Sequence, residues 1–157
     1  MKSEKNPSCQ NRRSFLAAGA AIGGTLATGR ATAQKASAGP AKHKVVFELN
    51  APAPSGWDQI FHNMDNILTV FGPEGVQVEA VFFGRGLSML LKKNADYEQR
   101  LKEAADKGIV LAACQNSMRA ARVTTADLFP FAAQVDSGVA ELVRKQEAGW
   151  SYIKGGE

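Results

Sequence analysis

Ile109-Val110-Leu111-Ala112-Ala113-Cys114-Gln115-Asn116-Ser117-Met118-Arg119 is the stretch whose reading decides the fold. Its first six residues are an unbroken apolar run of strand length, without the alternation of a strand that keeps one face in water, so both faces should be covered. Gln115, Asn116 and Ser117 then offer capping chemistry for a helix running on through Met118 to Ala121. A buried strand that feeds straight into a helix is half of a β-α-β unit, which requires a parallel sheet. Cys114 falls at the carboxyl end of that strand.

The pattern extends upstream. Ala95 to Lys107 places Tyr97, Leu101, Ala104 and Ala105 on one side of a helix that Gly108 ends, and a shorter helix precedes it around Leu87 to Leu91. Val76 to Phe83 alternates and then runs apolar, as a strand entering a core does, and Gly84-Arg85-Gly86 turns the chain. Before Gly72-Pro73-Glu74-Gly75, the residues Trp57, Ile60, Phe61, Met64, Ile67, Leu68 and Phe71 fall within an arc of about 120° on a helical wheel, a core-facing stripe. Lys44 to Asn50 reads as the first strand. Downstream, Thr124-Thr125-Ala126-Asp127 fits a capping box for a short helix closed by Pro130, and Phe131 to Val135 reads as a strand. Asp136-Ser137-Gly138 opens a last helix with Val139, Leu142 and Val143 facing inward, and Trp150 to Ile153 forms a terminal strand. The expected architecture is a single α/β domain with a mostly parallel five-stranded sheet and helices on both faces.

The chain has 157 residues, 45% hydrophobic and 22% charged, values of a folded globular protein with one core. Its net charge of +4 would suggest nucleic acid, but Lys2, Lys5, Arg12, Arg13 and Arg30 against Glu4 account for all of it, and residues 34–157 are balanced. No nucleic-acid partner is expected. Asn11-Arg12-Arg13-Ser14-Phe15-Leu16 precedes a weakly apolar run from Phe15 to Thr28, and Ala31-Thr32-Ala33 supplies the small residues of a cleavage site. Residues 1–33 therefore resemble a twin-arginine signal peptide, 34–43 a linker, and 44–157 the domain. The apolar run is shorter than the roughly 20 residues of a membrane-spanning helix. The expected location is the periplasm, with no stable membrane span.

Open parallel sheets bind ligands beyond the carboxyl ends of their strands, where Asn50, Gly84 and Cys114 all fall. Cys9 lies in the leader, so the remaining chain has one thiol and no internal disulfide. Cys114 also precedes a helix start, where unpaired N–H groups favour a thiolate, and Arg119 on the same helix adds positive charge. Two readings of Cys114 stand open: a small packed core residue, or a nucleophile. Gly84-Arg85-Gly86 imitates the start of a dinucleotide fingerprint but lacks its third glycine, and is better read as a tight turn. With two histidines, His43 and His62, and one remaining thiol, no metal or other cofactor site is expected. A cysteine hydrolase would need His62 beside Cys114, yet His62 points away from the apolar stripe.

Several stretches together resemble the DsrE/DsrF-like family of small sulfur-relay proteins. They are Phe83-Gly84-Arg85-Gly86-Leu87, Ala113-Cys114-Gln115-Asn116-Ser117-Met118-Arg119, Ala126-Asp127-Leu128-Phe129-Pro130, Ser137 to Gln146 and Tyr152-Ile153-Lys154, with Asn63 and Asn66 on the first helix. The resemblance covers nearly all of residues 44–154. It implies a DsrE-like sheet, assembly into oligomers, and a persulfide-carrying cysteine at Cys114 that exchanges sulfur with a partner protein or a small sulfur compound. Asn50, Asn63, Gly84, Gly86, Asn116, Ser117 and Arg119 are the candidate supporting residues. Ser117 and Met118 stand where Thr and Leu are commoner, and Arg85 where a smaller residue or proline is usual. The leading expectation is an exported, sulfurtransferase-like sulfur carrier; the alternative is a non-catalytic oligomeric binding module in which Cys114 is structural.

Overall fold

A computed structural model of the chain describes residues 42–52 and 56–156. The leader and all but the end of the linker lie outside these residues. The domain is built from β1 (His43–Leu49), α1 (Trp57–Phe71), β2 (Val76–Phe82), α2 (Glu98–Asp106), β3 (Val110–Cys114), α3 (Gln115–Ala121), β4 (Ala133–Val135), α4 (Gly138–Glu147) and β5 (Ser151–Lys154). Single 3₁₀ turns or short 3₁₀ runs occupy Gly84–Leu90, Lys92–Tyr97 and Thr125–Asp127. The five strands form one sheet in the order β4-β3-β2-β1-β5, and every pairing is parallel.

The sheet is covered on both faces, as the apolar strands demand. Val45, Phe47, Leu49, Ala80, Phe82, Leu111 and Ala113 pack on one face against Trp57, Ile60, Phe61 and Met64 of α1, Leu101 of α2 and Met118 of α3. The smaller second layer joins Val46, Val81 and Ala112 to Leu142 of α4, with Trp150 and Phe83 at its margin. Consecutive strands β1 to β4 step across the sheet in one direction, and α4 then carries the chain back over the opposite face to place β5 beside β1. Because β3 leads into α3 on one face and β4 into α4 on the other, the chain diverges beyond their paired ends, and such a switch point is where open sheets form crevices.

Several elements differ in detail from the sequence reading. The helix expected from Ala95 is α-helical only from Glu98, because Asn94 is non-helical (φ −105°, ψ 54°) and its side-chain amide donates to the Ser88 carbonyl at 2.5 Å. Gln115 to Ser117 do not precede α3 but form its first turn, and Cys114 itself is the N-cap. On α4 only Leu142 of the three expected apolar residues is buried: Val139 is 59% and Val143 48% exposed. The capping box at Thr124 and Asp127 is present on the short 3₁₀ turn, with Thr124 N–H donating to Asp127 Oδ2 at 2.7 Å.

Candidate functional site

Cys114 ends β3 paired with Val135 of β4. It is 3% exposed, yet it belongs to neither apolar layer of the core. Polar groups also reach it. As N-cap of α3, Sγ accepts a hydrogen bond from the Ser117 backbone N–H at 3.4 Å, the place an Asp or Ser oxygen would ordinarily fill. Burial pushes the thiol up, but hydrogen bonds from the Ser117 side chain and from the backbone N–H groups of Gly138, Ser117 and Asn116 outweigh it. Together they hold Cys114 below the ordinary thiol value.

Ser117 links this cradle to β2. Its Oγ accepts from the Gly84 N–H at 2.9 Å, which occupies an oxygen lone pair and leaves the hydroxyl hydrogen free to point at Sγ. Glycine is favoured at Gly84: φ is +52°, and a β-carbon would stand 2.1 Å from Asn50 Oδ1, so that the Asn50 side chain would have to move. Gly86 is similarly close to β1, since a β-carbon would meet the Leu49 carbonyl oxygen at 2.1 Å. Gly138 begins α4 against Phe83, whose Cβ would be 2.9 Å from an added methyl. The N-terminal loop of α4 is braced by Arg144, which donates to both carboxylate oxygens of Asp136 at 2.9 and 2.7 Å.

The segments that follow β2, β3 and β4 thus meet around one thiol, with Asn50 after β1 packed behind Gly84. Of the candidate supporting residues, Ser117 hydrogen-bonds Sγ, the Asn116 N–H helps to lower the thiol, Gly84 holds Ser117, and Asn50 and Gly86 pack the turn that carries Gly84. Two stand apart. Asn63 is half-buried midway along α1 and is not among the groups bonded to Sγ, while Arg119 is exposed and its guanidinium donates to Asn116 Oδ1 rather than to the thiol. The positive environment expected from Arg119 is therefore supplied by backbone N–H groups. His62 is exposed on α1 and is likewise not a partner of Sγ, so a cysteine and histidine pair finds no support. Gly138 was missed by the sequence reading, although Ser137-Gly138 follows β4 in the same way that Gly84 follows β2. Among the described residues no group of three or more His, Cys, Asp or Glu is placed to hold a metal ion, and no helix is long and apolar enough to cross a membrane.

The fold and site define a single-domain, parallel α/β protein with a hydrogen-bonded cysteine at a strand's carboxyl end. The chain belongs to the DsrE/DsrF-like family, whose model matches residues 43–154. It is similar to the solved structure of a protein of unknown function, MTH1491 from Methanobacterium thermoautotrophicum. The two are 27% identical with a TM-score of 0.62, over 71% of this chain and 98% of that one. No curated protein matches the chain. Family membership suggests a role of the sulfur-relay kind.

Proposed function

We propose that this protein is a sulfur carrier in which Cys114 holds a persulfide. The observation that carries the reading is that Sγ sits at the N-cap of α3 and accepts the Ser117 N–H at 3.4 Å, with the Ser117 side chain and the N–H groups of Gly138 and Asn116 helping to draw the thiol below its ordinary value. A cysteine that only fills a core has no need to cap a helix or to be drawn toward the thiolate. These groups suit a thiolate at Sγ, the form that attacks a sulfane sulfur. In the step itself, the Cys114 thiolate attacks a sulfane sulfur, a new S–S bond forms, and the donor's S–S bond breaks with its electron pair leaving on the donor. A second thiolate then takes the outer sulfur and returns Cys114 as thiolate. Neither half requires a metal, a nucleotide or a general base.

The same reading includes export through the twin-arginine route, supported by Arg12-Arg13 and the small residues before Gln34, and assembly into oligomers, as the family suggests. One observation favours the alternative of a binding module with a structural cysteine: at 3% exposure Cys114 offers little surface to a donor. The two readings part in one experiment. Purified protein and Cys114→Ser are incubated with polysulfide, and intact masses are taken before and after a reductant. A reductant-sensitive gain of one sulfur atom, absent in the variant, supports the carrier. No gain, with Cys114 resisting alkylation until the protein is unfolded, leaves the module.

A further inference from the structure

The buried Cys114 is closed to any reagent unless something above it moves. What covers it follows from the pleat of β3. Leu111 and Ala113 belong to the first layer and Ala112 to the second, so alternation puts the Cys114 side chain on the second face, the one that α4 covers. Phe82 pairs with Ala113, which sets Phe83, extended and one residue further on, beside Cys114 on that same face. Gly138, the buried first residue of α4, lies against the Phe83 side chain, since an added β-carbon would stand 2.9 Å from Phe83 Cβ and 3.0 Å from Cγ and Cδ1. The Gly138 N–H is also among the groups that draw the thiol below its ordinary value. The first turn of α4 is thus what lies over the sulfur.

α4 is held unequally along its length. Its carboxyl-terminal end is fixed from below: Lys145 Nζ bonds the buried Glu79 carboxylate and lies 4.2 Å from the centre of the Trp150 ring, and the Trp150 N–H donates to the Lys145 carbonyl at 2.9 Å. Toward the amino-terminal end no buried ion pair holds it among the described residues. There Gly138 and Leu142 alone are buried, and Val139 and Val143 face outward. What restrains that end is the pair of Asp136 and Arg144, both exposed. Asp136 follows the β4 residue that pairs with Cys114, and Arg144 precedes Lys145, so their two hydrogen bonds, at 2.9 and 2.7 Å, tie together the two fixed ends of the segment between them. We infer that residues 137–141 are a hinged cover over Cys114, latched by Asp136 and Arg144, which lifts from Phe83 while the Lys145 end of α4 stays on the sheet. Segments with few buried apolar contacts open locally at a free energy well below that of global unfolding. Asp136 and Arg144 touch no reacting atom; they are positioning residues that set how often the thiol is uncovered. The use of this opening in sulfur transfer rests on the carrier reading, whereas the opening itself does not.

Opening can be read from the rate at which iodoacetamide alkylates Cys114 in the full chain, followed on the peptide that carries it. The pH is set above the ordinary thiol range, so that the sulfur is ionised in every variant. Arg144→Gln and Asp136→Asn should each raise the rate, by up to roughly fivefold for an exposed ion pair. Gly138→Ala, whose methyl presses on Phe83, should raise it too. In low urea, short of the global transition, the rate in the unaltered protein should stay nearly flat, because lifting one turn exposes little new surface. Rates unchanged in all three variants would overturn the inference, as would a rate that climbs with urea as steeply as global unfolding does. Should a variant fail to fold, the urea series still decides. Sulfur loading from polysulfide separates the cover from the carrier. Faster alkylation in the latch variants with no loading in any form leaves the cover and removes the carrier, and loading with no change in alkylation rate does the reverse.

Discussion

The Gly84 N–H and the Ser117 Oγ, thirty-three residues apart in sequence, meet at 2.9 Å and join the turn after β2 to the helix that Cys114 caps. Without that bond, the Ser117 hydroxyl has no fixed direction. Ser117→Ala should therefore leave the fold intact and move the iodoacetamide alkylation profile of Cys114 to higher pH, because the first of the lowering groups is gone. An unchanged profile would mean that the backbone N–H groups alone set the thiol.

Gly84→Ala tests the same junction from its other side. The residue has φ +52° and its β-carbon would strike Asn50 Oδ1 at 2.1 Å, so strain alone should cost about 1–3 kcal/mol, before any repacking of Asn50. Urea denaturation should register this loss. A substitution tolerated without loss would mean that the turn rearranges freely.

The lowered thiol also makes stability depend on pH. A folded pKa below the unfolded one means that the folded state favours the thiolate. The contribution is complete above the unfolded pKa and is lost as pH falls through the folded one. The stability advantage of the protein over Cys114→Ser should accordingly grow as pH rises between those two values. A difference flat across that window would argue against a thiolate in the folded state.

Asp136 carries a second, acid-side signature. Hydrogen bonds from Arg144, and then from the Ser137 N–H, hold its carboxyl down to about 2. Its contribution is present above the ordinary carboxylate range and lost as pH falls through about 2. In Arg144→Gln the carboxyl resonance of Asp136 should titrate closer to the ordinary carboxylate range. Since this pair braces the loop before Gly138, the Cys114 alkylation profile should move upward with it.

Glu79 and Lys145 form the buried ion pair of the second layer, with Nζ 2.5 Å from Oε2 and side-chain exposures of 6% and 20%. Glu79 Oε1 has no hydrogen-bond partner. Lys145→Met would strand the carboxylate and should cost about 3–5 kcal/mol in urea denaturation, whereas Glu79→Met with Lys145→Met should recover most of that loss. A single substitution as mild as the double one would show that water already reaches the pair.

What was legible in the sequence is what burial and punctuation write into it. α1 begins at Trp57 and ends at Phe71, as its apolar stripe and Gly72 indicate, and the apolar runs at β2 and β3 have strand form because both of their faces are covered. The same apolar run marks Cys114 as the last residue of β3. α4 was misread in part because its stripe is wider than its contact: Leu142 reaches the sheet, and Val139 and Val143 lie outside the small second layer. The partners of Cys114 were harder still. Gly138 lowers the thiol through a backbone N–H, which no side-chain pattern records, and the charge of Arg119 is visible in sequence while its bond to Asn116 is not.

The position of β5 has a consequence for how the chain comes to be made. β1 lies between β2 and β5, and Val45 pairs with Ser151, so the second strand to flank β1 is the last of the five described strands to be synthesised. Until those residues leave the ribosome, the nascent domain presents one side of β1 as an open row of N–H and C=O groups, able to recruit another chain. Completion of the sheet is therefore a late event, and any premature stop before Ser151 should yield a sticky fragment rather than a smaller working domain.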